Sequence, residues 1–84
     1  MNRYTVTWRE EAEAELIELW LAASDRSEIT AAVRIIDQAL AIDPETKGNA
    51  VAEGLMSYIA PPIRVLFVVQ TEDRTVDIQL VRRI

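Results

Sequence analysis

The sequence predicts an α+β fold in the order β-α-α-β-β-β, with a helical hairpin packed on one face of a mainly antiparallel four-stranded sheet. Three observations predict it. Residues 4–8 alternate apolar and polar side chains, residues 10–42 carry two apolar stripes of helical period separated by a short polar break, and the chain after Gly54 is dominated by strand-forming runs separated by turn formers. At 84 residues the whole chain, 1–84, is expected to form one domain.

The first strand is "YTVTW", in which Tyr4, Val6 and Trp8 alternate with Thr5 and Thr7. Thr7 and Glu10 then have the spacing of a capping box, which starts the first helix and carries it to about Ala23. Ala12, Leu16, Leu19, Trp20 and Ala23 lie on one arc of that helix, and Ile17 and Leu21 widen it. The polar break Ser24–Ser27 gives way to a second helix, from about Ser27 or Glu28 to Ile42, with Ile29, Val33, Ile36 and Leu40 as its stripe. Pro44 stops it, and so short a connection makes the two helices an antiparallel hairpin. "DPETKGN" reads as a loop.

Three strands follow: "LMSYI", "IRVLFVVQT" and "TVDIQLV". Pro61 and Pro62 mark the first turn, with a cis bond at Pro62 if the turn is type VI. A two-residue loop at Glu72-Asp73 sets Val65, Phe67 and Val69 opposite Leu80, Ile78 and Val76, all on one apolar face. In that register Arg64, Leu66, Val68 and Gln70 share the second face with Thr75, Asp77, Gln79, Val81 and Arg83. An antiparallel sheet can leave such a face to water, so Arg64 escapes the core.

Half the residues are hydrophobic and 27% are charged, a composition that folds. The absence of cysteine and histidine removes disulfides, thiolate chemistry, imidazole bases and the commonest transition-metal ligands. No cofactor is expected. No apolar run approaches the roughly 18 residues of a membrane span, so no membrane partner is expected and the cytoplasm is the default location. The net charge of -5 is uneven: residues 1–45 hold ten acids against four arginines, residues 46–84 four acids against five bases. That balance argues against a general nucleic-acid binder and directs any anion to the C-terminal half.

The principal constellation is Arg64 with Arg83, one step diagonal across the strand pair, and Arg82 at the rim. Two converging guanidiniums suit a phosphate. The plainer reading is that Asp77 or Glu53 neutralises Arg64 and that the terminal arginines are solvated. Glu11, Glu15 and Glu18 read as a solvated helix face rather than a cation site. Trp8 and Trp20 read as core or partner-facing anchors. Leu66, Val68 and Val81 form a patch that a lone monomer leaves wet, which marks a partner site or a homodimer contact.

The order strand, helical hairpin, three-stranded meander, with "PPIRVLFVV" led by an arginine and "DIQLVRRI" ending in basic residues, resembles the RelE/ParE superfamily of toxins from type II toxin–antitoxin modules. "YTVTWREEAEAELIELW" looks like that family's first strand and helix, and the resemblance spans nearly the whole chain. It implies a small toxin wrapped by a cognate antitoxin. In the RelE branch it implies mRNA cleavage in the ribosomal A site by the RNA's own 2'-hydroxyl; in the ParE branch it implies poisoning of DNA gyrase by binding. Residue by residue, Arg64 matches the central-strand arginine and Arg83 or Arg82 the terminal one. The RelE branch's lysines are represented only by Lys47, its C-terminal tyrosine has no counterpart, and Tyr58 is the remaining aromatic hydroxyl near the sheet. A harmless interaction module, whose open sheet face takes up a partner, is the third reading.

Overall fold

A computed structural model describes residues 3–84. Strand β1 (Thr5–Trp8) leads into helix α1 (Glu10–Ala22) and helix α2 (Arg26–Leu40), and a short 3-10 turn (Pro44–Thr46) precedes strands β2 (Asn49–Ala52), β3 (Leu55–Ala60), β4 (Ile63–Gln70) and β5 (Thr75–Arg83). The sheet has five strands in the order β1-β5-β4-β3-β2. It is one strand wider than the sequence predicts, because Asn49–Ala52 at the end of the expected loop pairs antiparallel with β3. Those four residues are all exposed and follow no alternation, so no periodic signal marks them as a strand. Strand β1 pairs with β5 in parallel, and the other pairings are antiparallel.

Helix α1 starts without the expected capping box. The β1–β5 ladder runs through Trp8, and the Arg9 amide still donates to the Ile78 carbonyl, so Thr7 remains in the strand and donates its hydroxyl to the Val76 carbonyl. Arg9 occupies the cap position with no side-chain cap, while Glu10, Glu11 and Glu13 place negative charge at the positive end of the helix dipole. Both helices end on a cation supplied from downstream. Arg26 donates to the carbonyls of Trp20 and Leu21 at the end of α1, and Lys47 Nζ donates to those of Ala39 and Ile42 at the end of α2.

The core lies between the hairpin and one sheet face. Ala12 of α1 and Ala32, Ile36 and Leu40 of α2 pack on Ala60, Ile63, Val65, Phe67, Val76, Ile78 and Val81. Phe67 is the largest of the fully buried side chains, and its ring leaves no room beside Gly48: a Cβ there would stand 2.6 Å from Phe67 Cζ and 2.9 Å from the Ser57 carbonyl oxygen. The Pro61-Pro62 bond is cis.

Pairing between β4 and β5 stops at Gln70 and Thr75, so four residues, Thr71–Arg74, make the turn. The expected register holds from there to Phe67 opposite Ile78. It then shifts: Leu66 faces Leu80, Val65 faces Val81, Arg64 faces Arg82 and Ile63 faces Arg83. Gln79 is the extra residue of a β-bulge, and beyond it every β5 side chain changes faces. Val81 is therefore in the core, fully buried, and not on the partner face where parity alone puts it. Leu80 takes the outer position beside Leu66 in its place.

Candidate functional site on the outer sheet face

The sheet face turned away from the helices carries Thr5 and Thr7 of β1, Asp77, Leu80 and Arg82 of β5, Arg64, Leu66, Val68 and Gln70 of β4, and Leu55 and Ile59 of β3. Leu66 and Val68, expected on this face, are there and half-buried. Arg64 sits in the row Ile59–Arg64–Arg82, directly across from each neighbour. Among the described residues it makes no ion pair and no side-chain hydrogen bond. The carboxylate that parity offers it, Asp77, instead accepts from Arg9 at 3.0 Å.

The bulge decides which terminal arginine joins Arg64. It puts Arg82 opposite Arg64 and sends Arg83 to the helix side, which reverses the expected pairing of Arg64 with Arg83. Strand β1 ends at Trp8 beside Ile78, so the far half of β5 has a free edge, along which α1 packs. Arg82 meets Glu15 of α1 there in an ion pair. Arg83 donates to Asp25 Oδ2 at 2.6 Å, at the start of α2. That hydrogen bond holds the Asp25 carboxyl below its ordinary range against the opposing effect of burial, and it raises Arg83 further. The other carboxylate oxygen, Oδ1, is buried and unpartnered among the described residues.

The remaining sequence-predicted residues are dispersed. Lys47 closes the end of α2, so its ammonium is occupied by carbonyls. Tyr58 is half-buried on the helix side, opposite Val65. Trp20 belongs to the hairpin, where its indole Nε1 donates to Thr30 Oγ1 and Arg26 stacks 4.8 Å from the ring centroid. It lines an open groove with Leu16, Ile17, Ile29, Thr30 and Val33, separate from the Leu66–Val68 patch. Leu80, Leu55 and Arg9 line a shallow depression with Leu66 on the outer face and were not foreseen there. The consecutive apolar pair Leu80-Val81 was the available signal, since either residue could take the inward position.

Chemically, the outer face offers one unpaired guanidinium with a second held close by through a carboxylate. Such a pair can grip an anion once Arg82 leaves Glu15. No group of three or more acids among the described residues is placed to hold a metal ion, and no helix among them is long and apolar enough to cross a membrane.

This arrangement of sheet and hairpin has solved counterparts. A chain of the RelBE2 toxin–antitoxin complex from Mycobacterium tuberculosis superposes over all of this chain and 94% of its own, with a TM-score of 0.83 and 24% identity. The fold is that of the RelE/ParE toxins. Similarity of the RelE/ParE kind extends to the chromosomal ParDE system of P. aeruginosa (TM-score 0.70, 16% identity, 100% of this chain and 99% of that one). It extends also to the archaeal RelE–RelB complex of Pyrococcus horikoshii OT3 (TM-score 0.66, 16% identity, 99% and 96%). No protein-family model matches the sequence, and no curated protein sequence does. RelE and ParE neighbours share the RelE/ParE-like topology, so the fold alone does not choose between their activities.

Proposed function

We propose that this chain is the toxin of a type II toxin–antitoxin module, neutralised by a cognate antitoxin, with the outer sheet face around Arg64 as its effector surface. One observation carries the reading: among the described residues Arg64 has no ion-pair partner, and it lies half-buried on the central strand of the sheet with a second arginine directly opposite. A charge kept in that position without a carboxylate serves binding better than stability. The RelE and ParE toxins whose fold it shares add to it.

As a RelE-like endoribonuclease of ribosome-bound mRNA, the chain would use Arg64 to hold the scissile phosphate. Arg82, drawn from Glu15 by the incoming anion, would share the charge that develops as the RNA's 2'-hydroxyl attacks. Preorganised cations of this kind stabilise a pentacoordinate phosphate by several kcal/mol, on the order of 3–4 for one good donor. The second reading, a ParE-like toxin that poisons DNA gyrase by binding, is favoured by a separate observation. Arg82, Arg83 and Lys47 all hold intramolecular partners, which leaves the nuclease set thin.

Inducible expression with and without the neighbouring antitoxin frame tests both. RelE-like activity gives growth arrest with new RNA 5' ends, lost in Arg64→Ala while the protein still folds and binds antitoxin. Gyrase poisoning gives arrest with DNA-damage signalling and no new ends. Arrest that survives the Arg64→Ala/Arg82→Ala double variant removes Arg64 from the effector surface, and tight antitoxin binding without arrest leaves only the interaction module.

A further inference from the structure

We infer that the depression beside Arg64 on the outer sheet face is a base-reading subsite, in which the carboxamide of Gln79 selects adenine in the nucleotide whose phosphate the arginines grip. The inference rests on the proposal that Arg64 and Arg82 hold an RNA phosphate. The floor of the depression is Leu55 of β3, Leu66 of β4 and Leu80 of β5, and its rim is Arg9, Glu11 and Gln79. Its volume of about 440 Å³ falls within the ~300–1,000 Å³ of ligand-sized clefts.

Position ties the depression to the arginines. Leu66 lies two residues beyond Arg64 on the same strand face, and Leu80, opposite Leu66, lies two before Arg82, so the leucine row runs about 7 Å from the arginine row. A phosphate on the arginines therefore carries its base, across one ribose, over the leucines.

Charge separates the two ends. Arg64 has no carboxylate partner among the described residues, whereas Arg9 is paired with Asp77 at 3.0 Å and Glu11 adds a further acid at the rim. The depression thus has no positive charge to spare for a second phosphate. An uncharged ring with an amino group at its edge suits it, the ring face covering the leucines.

The bulge supplies the reading group. Under unbroken alternation residue 79 would face outward and residue 80 inward; the bulge lets both Gln79 and Leu80 line the depression. Asp77 can only accept, so the Gln79 Nε2 that donates to its Oδ2 at 3.5 Å sets the orientation of the amide. One N–H and the carbonyl oxygen remain, a donor beside an acceptor, which matches N7 and the N6 amino group of adenine. Guanine shows two acceptors at that edge, and uracil and cytosine one polar group each. Single-stranded RNA leaves the edge open. A partner protein's apolar side chain would fill the floor but cover the carboxamide without satisfying it.

Short 2'-O-methyl RNAs lack the attacking hydroxyl, so binding to the full chain is read without cleavage, by fluorescence anisotropy. One position in an all-uridine strand is changed in turn to adenosine, guanosine or cytidine. The adenosine strand is expected to bind at least about fivefold tighter than the others, the low end for a two-bond base contact, and added salt should weaken all strands in parallel. Gln79→Ala should bring the adenosine strand down to the all-uridine level, and Gln79→Glu, which can only accept, should turn the preference toward cytidine, both with unchanged circular dichroism. Arg64→Ala should weaken every strand alike. Binding without base preference, or a preference that survives Gln79→Ala, overturns the base-reading subsite and leaves the phosphate grip standing. Failure of every strand to bind, or binding indifferent to Arg64→Ala, overturns the phosphate grip and the subsite with it. Loss of antitoxin binding in Gln79→Ala with the base ratio intact assigns the depression to the protein partner instead.

Discussion

Arg64 and Arg82 stand directly opposite one another on β4 and β5, and of the two only Arg82 has a carboxylate partner among the described residues, Glu15. Like charges in opposed sheet positions repel, by roughly 0.2–1 kcal/mol on the scale of cross-strand pairs. Arg64→Thr should therefore leave the protein as stable as before, or more stable by up to about 1 kcal/mol, while removing its effect on the target. Urea denaturation beside a growth assay checks both halves. A marked loss of stability would make Arg64 a structural residue.

Releasing Arg82 should act in the opposite sense. The Glu15 pair is solvent-exposed, so Glu15→Gln should cost under about 1 kcal/mol. It leaves two unpaired guanidiniums on one face, and affinity for a short single-stranded RNA should rise a few-fold with a steeper salt dependence. Fluorescence anisotropy at several salt concentrations measures it, and an unchanged slope would mean that Arg82 does not reach the bound strand.

The link between Asp25 and Arg83 has a pH signature. The hydrogen bond from Arg83 lowers the folded-state pKa of Asp25, so the unfolded chain takes up the proton first as pH falls. The stability this gives is present in full above the ordinary carboxylate range and is lost as pH falls from about 4 through the lowered value. Asp25→Ala should be less stable than the parent chain at pH 7, and the difference should shrink below about pH 4. A pH-independent difference would assign the effect to packing.

The bulge at Gln79 can be tested by neighbouring alanines. Val81 is fully buried in the core and Leu80 half-buried on the outer face, so Val81→Ala should cost about 1.5–3 kcal/mol and Leu80→Ala distinctly less. Unbroken alternation would give the reverse order. Thermal or urea unfolding of the two variants decides it.

Gly48 offers a packing test. Its added methyl in Gly48→Ala collides with the Phe67 ring, for an expected loss of about 1–3 kcal/mol. Phe67→Leu in the same chain should recover part of that loss, since the two sites share one space. Strictly additive losses would show that the Ser57 carbonyl, also close to the new methyl, is the harder obstacle.

Periodicity made both helices legible to within about two residues, and the apolar stripe Ile29, Val33, Ile36 and Leu40 follows α2 closely. Arg64 could be placed because nothing interrupts the alternation of β4 on either side of it. Its partner could not. Parity carried along β5 is sound only while each residue adds one step, and the bulge adds a step without any glycine or proline to announce it. One unpaired residue exchanged Arg83 for Arg82 and moved Val81 from a surface patch into the core. The expected capping box does not form for a related reason: Thr7 has the right chemistry to cap, but the β1–β5 ladder reaches past it and its hydroxyl donates to the Val76 carbonyl instead. Strand β2 escaped because a short exposed edge strand needs no pattern, only a neighbour to pair with.

The parallel pairing of β1 with β5 joins residues 5–8 to residues 75–78, and among the described residues β5 is the only strand with which β1 pairs. The contact between the two ends of the chain is therefore the longest-range pairing in the sheet. The same strand β5 supplies Arg82, the residue opposite Arg64 on the outer face. The surface proposed to act on the cell and the closure of the sheet thus depend on the same strand, so a change that weakens β5 pairing removes both together.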